Sequence, residues 1–172
     1  MKLDIIFGSA SDYPSLASEI DWLRKAFPDV EIKINILSCH RHPKRLQNFA
    51  KNYQITDPKQ VILGCGSMAF AQPGVLKAWL NYYRKKVHVI GVALEGKESI
   101  DLEAAKLSVS RLPGKIVLMD EGDVPYVGPS GFRKACLRAL NEELPEISFK
   151  EPPESHIGLT PEKAARLFLK KQ

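Results

Sequence analysis

The sequence predicts an α/β protein, a three-layer αβα sandwich around a doubly wound, parallel sheet of five strands. Three observations carry that reading. Short apolar runs of strand length alternate along the chain with longer segments whose apolar residues recur at helical spacing. Most of the apolar runs end in glycine or small polar residues, as strands feeding surface loops do. At 172 residues, 44% apolar and 26% charged, the chain has the size and composition of one soluble domain that buries its own core.

The elements follow in order. Leu3–Phe7 is a mostly apolar run closed by Gly8, a buried parallel strand. Gly8–Asp12 is a small polar turn before a first helix, where Leu16, Ile20, Leu23 and Phe27 share a face and Pro28-Asp29 closes it. Glu31–Leu37 is the second strand. Ser38-Cys39-His40-Arg41-His42-Pro43 follows it, and Lys44–Lys51 forms a second helix with Leu46, Phe49, Ala50 and Tyr53 on one side. Gln60–Leu63 is the third strand, ending in the glycine-containing loop Gly64–Gly74. Val75, Ala78, Trp79 and Tyr82 mark the third helix, and Val87–Val92 the fourth strand. Leu102–Val109 is a short helix, Lys115–Met119 the expected fifth strand, Asp120–Gly128 a loop, and Pro129–Leu144 a helix. The chain then changes character. Residues 1–145 form the α/β domain, and 146–172 a proline-containing linker with a helix starting at Thr160-Pro161, packed on the domain or on a neighbouring subunit.

Charge and cysteine usage narrow the function classes. Net charge is +5, from 25 Lys and Arg against 20 Asp and Glu. The basic residues are scattered, which suits small anionic ligands such as phosphates and argues against nucleic acid as a partner. Cys39, Cys65 and Cys136 are too few and too far apart for a zinc site or a disulfide framework, so each is expected to be a free thiol in a reducing compartment. The opening Met1–Phe7 is too short and too charged for a signal peptide. No run approaches the ~20 apolar residues that span a bilayer. The expected location is the cytoplasm, with no membrane partner.

In this fold the loops after strands 1, 2 and 3 emerge on one edge of the sheet, where open α/β sheets bind ligands. Loop one offers Ser9, Ser11, backbone N–H groups and a helix start, all suited to a phosphate. Asp12, just before the helix, could hydrogen-bond a ribose diol. Equally, Ser9 and Asp12 could be an ordinary helix cap with no ligand needed. Loop two supplies Ser38 and the forked guanidinium of Arg41 for an anion. His40 is the candidate acid/base, since imidazoles titrate near neutral pH. A hydrogen-bonded or solvated loop histidine is the alternative there, and the favoured reading for His42. Loop three, with Gly66 and Ser67, lets a ligand approach the backbone closely. It matches neither a phosphate loop of the GxxxxGK[ST] type nor a dinucleotide fingerprint. Cys65 reads as a small buried side chain rather than a nucleophile, and His88 as a core or edge histidine. No metal site is apparent.

Taken together, Gly8-Ser9-Ala10-Ser11-Asp12, Ser38-Cys39-His40-Arg41-His42-Pro43 and a small-residue loop ending Pro73-Gly74 resemble the PurE family. Its members are the 5-(carboxyamino)imidazole ribonucleotide mutases and the related aminoimidazole ribonucleotide carboxylases of purine biosynthesis. The family pattern is G-S-x-S-D, then S-A-H-R-T-P, then a loop like G-A-A-H-L-P-G. The resemblance runs from the first strand to about Leu144, and the pairing of the first two motifs is specific. It implies a flavodoxin-like fold, a homo-octamer, a ribonucleotide and CO₂ as small-molecule partners, and no cofactor. It also implies that Ser9, Ser38 and Arg41 hold the 5′-phosphate, that Asp12 holds the ribose and Ser11 supports loop one, and that His40 is the general acid/base. Arginine rather than lysine in the second motif points to the mutase (isomerase) subclass of microbes and plants, rather than the animal-type carboxylase (a lyase).

Departures concentrate in loop three, where Ala71 stands for the family's histidine and Gln72 for its leucine, with Met68 and Phe70 in place of small residues. Cys39 and His42 replace the alanine and threonine of the second motif. Two alternatives therefore stand beside the mutase. One is a divergent paralogue acting on another nucleotide or heterocycle, and the other a non-catalytic flavodoxin-like binding module.

Overall fold

In the computed structural model, which describes residues 1–68, 70–149, 151 and 153–169, five parallel strands form one sheet in the order β2-β1-β3-β4-β5. Ala69 of the third loop, Lys150 and Pro152 of the linker and the terminal Lys170, Lys171 and Gln172 lie outside the described residues. The strands are β1 (Lys2–Phe7), β2 (Glu31–Ile36), β3 (Val61–Gly66), β4 (His88–Ala93) and β5 (Tyr126–Val127). The helices are α1 (Ala17–Ala26), α2 (Pro43–Asn52), α3 (Gln72–Tyr82), α4 (Ser99–Ser110), α5 (Gly128–Asn141) and α6 (Pro161–Phe168).

Side-chain alternation along the strands sorts the core into two layers. Leu3, Ile5 and Phe7 of β1 face the side covered by α1 and α5, where they meet Leu16, Ile20, Leu23, Phe132 and Cys136. Ile6, Ile62 and Val89 face the other side, against Leu46 and Ala50 of α2 and Leu76 and Leu80 of α3. Helices on both faces of a parallel sheet make the doubly wound fold that the sequence predicts. The chain passes from β1 to β2 on one side and returns to β3 on the other. The strand order therefore reverses at β1 and β3, and a crevice opens above their C-terminal ends.

Four differences from the sequence reading bear on the sheet and the loops above it. The fifth strand is Tyr126–Val127, paired with Val92 and Ala93, inside the stretch expected to be a loop. Lys115–Met119 contributes only a single bridge, Leu118 to Ile90, because Gly114 (φ 74°) and Lys115 (φ 47°) turn the chain through left-handed backbone. β3 runs on to Gly66, so Gly64–Gly66 is strand and not loop. The first helix is preceded by a 3-10 segment, Ala10–Leu16, that includes Asp12.

The linker returns toward α3. The Arg84 guanidinium lies 2.8 Å from a carboxylate oxygen of Glu151 and 5.5 Å from the Phe149 ring centre. Among the described residues, no helix is long and apolar enough to cross a membrane.

Candidate active site

The crevice at the strand reversal is a cleft of about 480 Å³, lined by Gly8, Ser9, Ser11 and Asp12 from the first loop, and by residues of the second and third. Every side chain singled out in the first two loops reaches it: Ser9, Ser11, Asp12, Ser38, His40 and Arg41. Ser67 does so as well. Gly66 does not, because it lies beneath Phe70, whose ring occupies the space of the missing Cβ.

The first loop is a capping box. Ser9 opens the 3-10 segment, its backbone N–H donating to Asp12 Oδ2 at 3.0 Å, while the Ser11 hydroxyl lies 2.8 Å from Ser9 Oγ. The helix-cap reading is thus fulfilled in geometry, and it coexists with exposure to the cleft. Asp12 does more than cap, because the Ser67 hydroxyl donates to its Oδ1 at 2.9 Å and ties loop three to loop one. Burial pushes the Asp12 carboxyl above its ordinary range, although hydrogen bonds from Ser67 and Ser9 and the charge of Arg41 pull the other way. Each carboxylate oxygen carries a second lone pair and can still accept a ligand hydroxyl.

The second loop turns sharply before α2. Buried Ser38 accepts the Arg41 backbone N–H on its Oγ at 3.2 Å, which fixes the turn. Arg41 sends its guanidinium back to the Gly8 carbonyl at 3.4 Å, so loops one and two are joined at the cleft mouth by a cation with donors to spare. His40 is exposed on the cleft wall, with the Cys39 sulfur 3.6 Å from its Nδ1. His42 points elsewhere. It precedes α2, and its Nδ1 accepts the Ser38 backbone N–H at 3.4 Å, the hydrogen-bonded loop role expected for it. Burial raises the Cys39 thiol, and raises Cys65 far more, so neither carries thiolate character.

The third wall is where this chain is individual. Met68 adopts left-handed backbone (φ 57°) with its side chain 60% exposed, while Phe70 is buried against Ala93, Ala105 and Val109. Ala71 contributes only a methyl group. Gln72, at the start of α3, lines the cleft although its side chain is buried. Phe70 and Gln72 are two of the lining residues that the sequence did not assign to the site. The available signal was their position opposite strand glycines 66 and 64, where large side chains can fold inward. Among the described residues, no cluster of three His, Cys, Asp or Glu side chains could hold a metal ion.

The family model described as AIR carboxylase matches residues 2–120, which take in all three loops. The chain belongs to the AIR carboxylase family. Among its relatives, the N5-carboxyaminoimidazole ribonucleotide mutase of Pyrococcus abyssi is 33% identical over 150 residues, 87% of this chain and 76% of that one. The mutase of Vibrio parahaemolyticus is 31% identical over 118 residues, 69% of this chain and 68% of that protein. The crystal structure of Treponema denticola PurE aligns with a TM-score of 0.57 at 21% identity, covering 82% of each chain, and bears out the fold. The residues matched by the AIR carboxylase family model include every residue that lines the cleft.

Proposed function

We propose that this protein interconverts N5-carboxyaminoimidazole ribonucleotide and 4-carboxy-5-aminoimidazole ribonucleotide in purine biosynthesis. The observation that carries the reading is the meeting of Ser9, Asp12, Ser38, His40 and Arg41, from two loops 26 residues apart or more, on one cleft in a chain of this family. Arg41, with the Ser9 and Ser38 hydroxyls, holds the 5′-phosphate, Asp12 the ribose diol, and Ser11 braces Ser9. Ser67 meets the ligand through the same carboxylate it already touches.

The reaction is an isomerisation. The N–C bond of the carbamate breaks as the exocyclic nitrogen takes a proton from His40, releasing CO₂ and the aminoimidazole. Ring C4 then attacks the CO₂, a C–C bond forms, and the C4 proton returns to His40. Protons therefore balance over the cycle. An imidazole suits the task because both transfers run near neutral pH, and CO₂ held beside the ring acts at high effective concentration. His40 and Arg41 are exposed in the single chain, so a retained CO₂ favours a further wall from a second subunit. We infer a homo-oligomer, an octamer by family likeness, in the cytoplasm, where the three free thiols stay reduced.

The test is turnover of the carboxyamino ribonucleotide, followed in the ultraviolet, beside a His40→Asn variant. The expected result is isomerisation by the parent and a loss of about 10²-fold or more in the variant. A parent rate equal to the spontaneous background would sink the mutase reading. It would leave the paralogue that acts on another heterocycle, which the changed third loop favours.

A further inference from the structure

Gln72 is 2% exposed, yet among the described residues neither its Nε2 nor its Oε1 has a hydrogen-bond partner, and both atoms are shut off from solvent. A buried primary amide with all its capacity unused is costly, and native chains rarely keep one without a reason. Its surroundings are built to hold it. Gln72 opens α3, and its Oε1 stands 2.8 Å from where a Cβ on Gly64 would be, so the strand gives up a side chain at the place the amide fills. The residue lines the same cleft as His40 and Asp12, and its neighbour Ala71 offers no polar group.

We propose that the Gln72 carboxamide is a specificity-determining group that reads the reacting edge of the ligand's heterocycle. This rests on the mutase reading above. The carboxylated product presents an amino group and a carboxylate on adjacent ring atoms, a donor beside an acceptor. A carboxamide is their complement: Nε2 donates to the carboxylate and Oε1 accepts from the amine. The terminal torsion of glutamine is soft, so the amide plane can turn in place to present either atom to a ligand at the base of the cleft. Being uncharged and without a titrating proton, the group orients the heterocycle and leaves proton transfer to His40. On this proposal the amide is unpartnered among the described residues because its partner arrives with the ligand.

The experiment compares the parent with Gln72→Leu, an apolar side chain of similar volume. Calorimetry measures affinity for the 4-carboxy-5-aminoimidazole ribonucleotide and for the same ribonucleotide lacking the carboxylate, and a thermal melt is run on both proteins. The expected result has three parts. Gln72→Leu melts at the parent's temperature or higher, because two unpaired polar atoms are gone. Affinity for the carboxylated ligand falls about tenfold or more. Affinity for the decarboxylated one, which keeps the amine but not the carboxylate, falls less, by about threefold. A Gln72→Glu variant, which puts an acceptor and a charge against the carboxylate, loses the carboxylated ligand at least as strongly.

Equal loss or equal retention of both ligands overturns the proposal, as does a lower melting temperature with both affinities lost, which would make the amide structural. If the parent isomerises its substrate while Gln72→Leu discriminates as the parent does, this inference alone fails. If the parent binds neither ribonucleotide, the mutase reading fails and takes the inference with it.

Discussion

Replacing Gly66 by alanine tests how the third wall of the cleft is held. The added Cβ would sit 2.5 Å from Phe70 Cδ2 and 2.6 Å from its Cε2, where ordinary carbon contacts are about 3.5–4.0 Å. The aromatic ring is rigid, so it must retreat by about 1 Å. Behind it stand Ala93, Ala105 and Val109, a packed cluster that opposes the retreat. Forced overpacking of this kind costs about 1–3 kcal/mol. Full loss of the packing of Phe70 sets a ceiling of about 3–5 kcal/mol. Alanine's advantage over glycine in a strand returns about 0.5–1 kcal/mol. The expected net destabilisation is about 1–2 kcal/mol, measured by urea unfolding. Because Phe70 also lines the cleft, turnover falls with it. The added Phe70→Leu change removes the offending ring edge, so the pair should show a coupling of about 1 kcal/mol or more in a double-mutant cycle. A Gly66→Ala protein as stable as the parent, or a cycle with no coupling, would refute the reasoning. If the double variant regained stability but stayed unable to bind ribonucleotide, Gly66 would touch the ligand directly, as the sequence alone suggested.

Two pH-dependent expectations follow from buried charges. Lys77 is buried on α3 with its Nζ donating to the Val87 carbonyl at 2.8 Å, and burial lowers its ammonium from 10.5 to about 8. A lysine so shifted binds fewer protons folded than unfolded between those values, so stability rises with pH from about 8 toward 10.5, by on the order of 3 kcal/mol in all. Urea unfolding at pH 7.5 and pH 9.5 should show that rise in the parent and a flat profile in Lys77→Met; parallel slopes in the two proteins would disprove it. Asp12 has the reverse character. Burial raises its carboxyl, so any stability it lends is fully present below the ordinary value of 3.8 and lost as pH rises through its folded value. In the ribose role proposed for Asp12, the ionised form is the one that accepts from the diol. Ribonucleotide affinity should therefore fall on acidification before the ordinary aspartate range is reached, and an acid limb that persists in Asp12→Asn would assign it to another group.

How far the molecule was legible in its sequence is best judged at particular residues. The layers were readable because β1, β3 and β4 are buried on both faces and so appear as mostly apolar runs, with Asp4 the charged exception inside β1, and because glycine and proline punctuate the helices. The fifth strand was not. Ile116–Met119 is the more apolar stretch, but left-handed turns at Gly114 and Lys115 leave it one bridge to β4. Tyr126–Val127 wins the pairing with Val92 and Ala93 while being too short to show any periodicity. Which segment completes a sheet is decided by the edge already formed, a tertiary fact that no local pattern encodes.

The site divides along the same line. Ser9, Asp12, Ser38, His40 and Arg41 were readable because polar residues crowded at parallel strand ends must converge on one edge whatever the details of packing. Loop three was opaque because its logic is subtractive. Gly64 and Gly66 matter for the Cβ atoms they lack, which admit the Gln72 amide and the Phe70 ring from the following turn. A glycine in a strand reads equally as a ligand approach, a bulge or a gap for a neighbour, and only the neighbour's position decides between them. With Phe70 fixed on Gly66, the same loop leaves Met68 outside and turns Gln72 in, so the third wall carries two polar side chains, Ser67 and the buried Gln72. A wall that had merely decayed would be expected to expose Phe70 and release the amide to water. Here Phe70 is 5% exposed and Gln72 2%, so the wall is packed and not frayed.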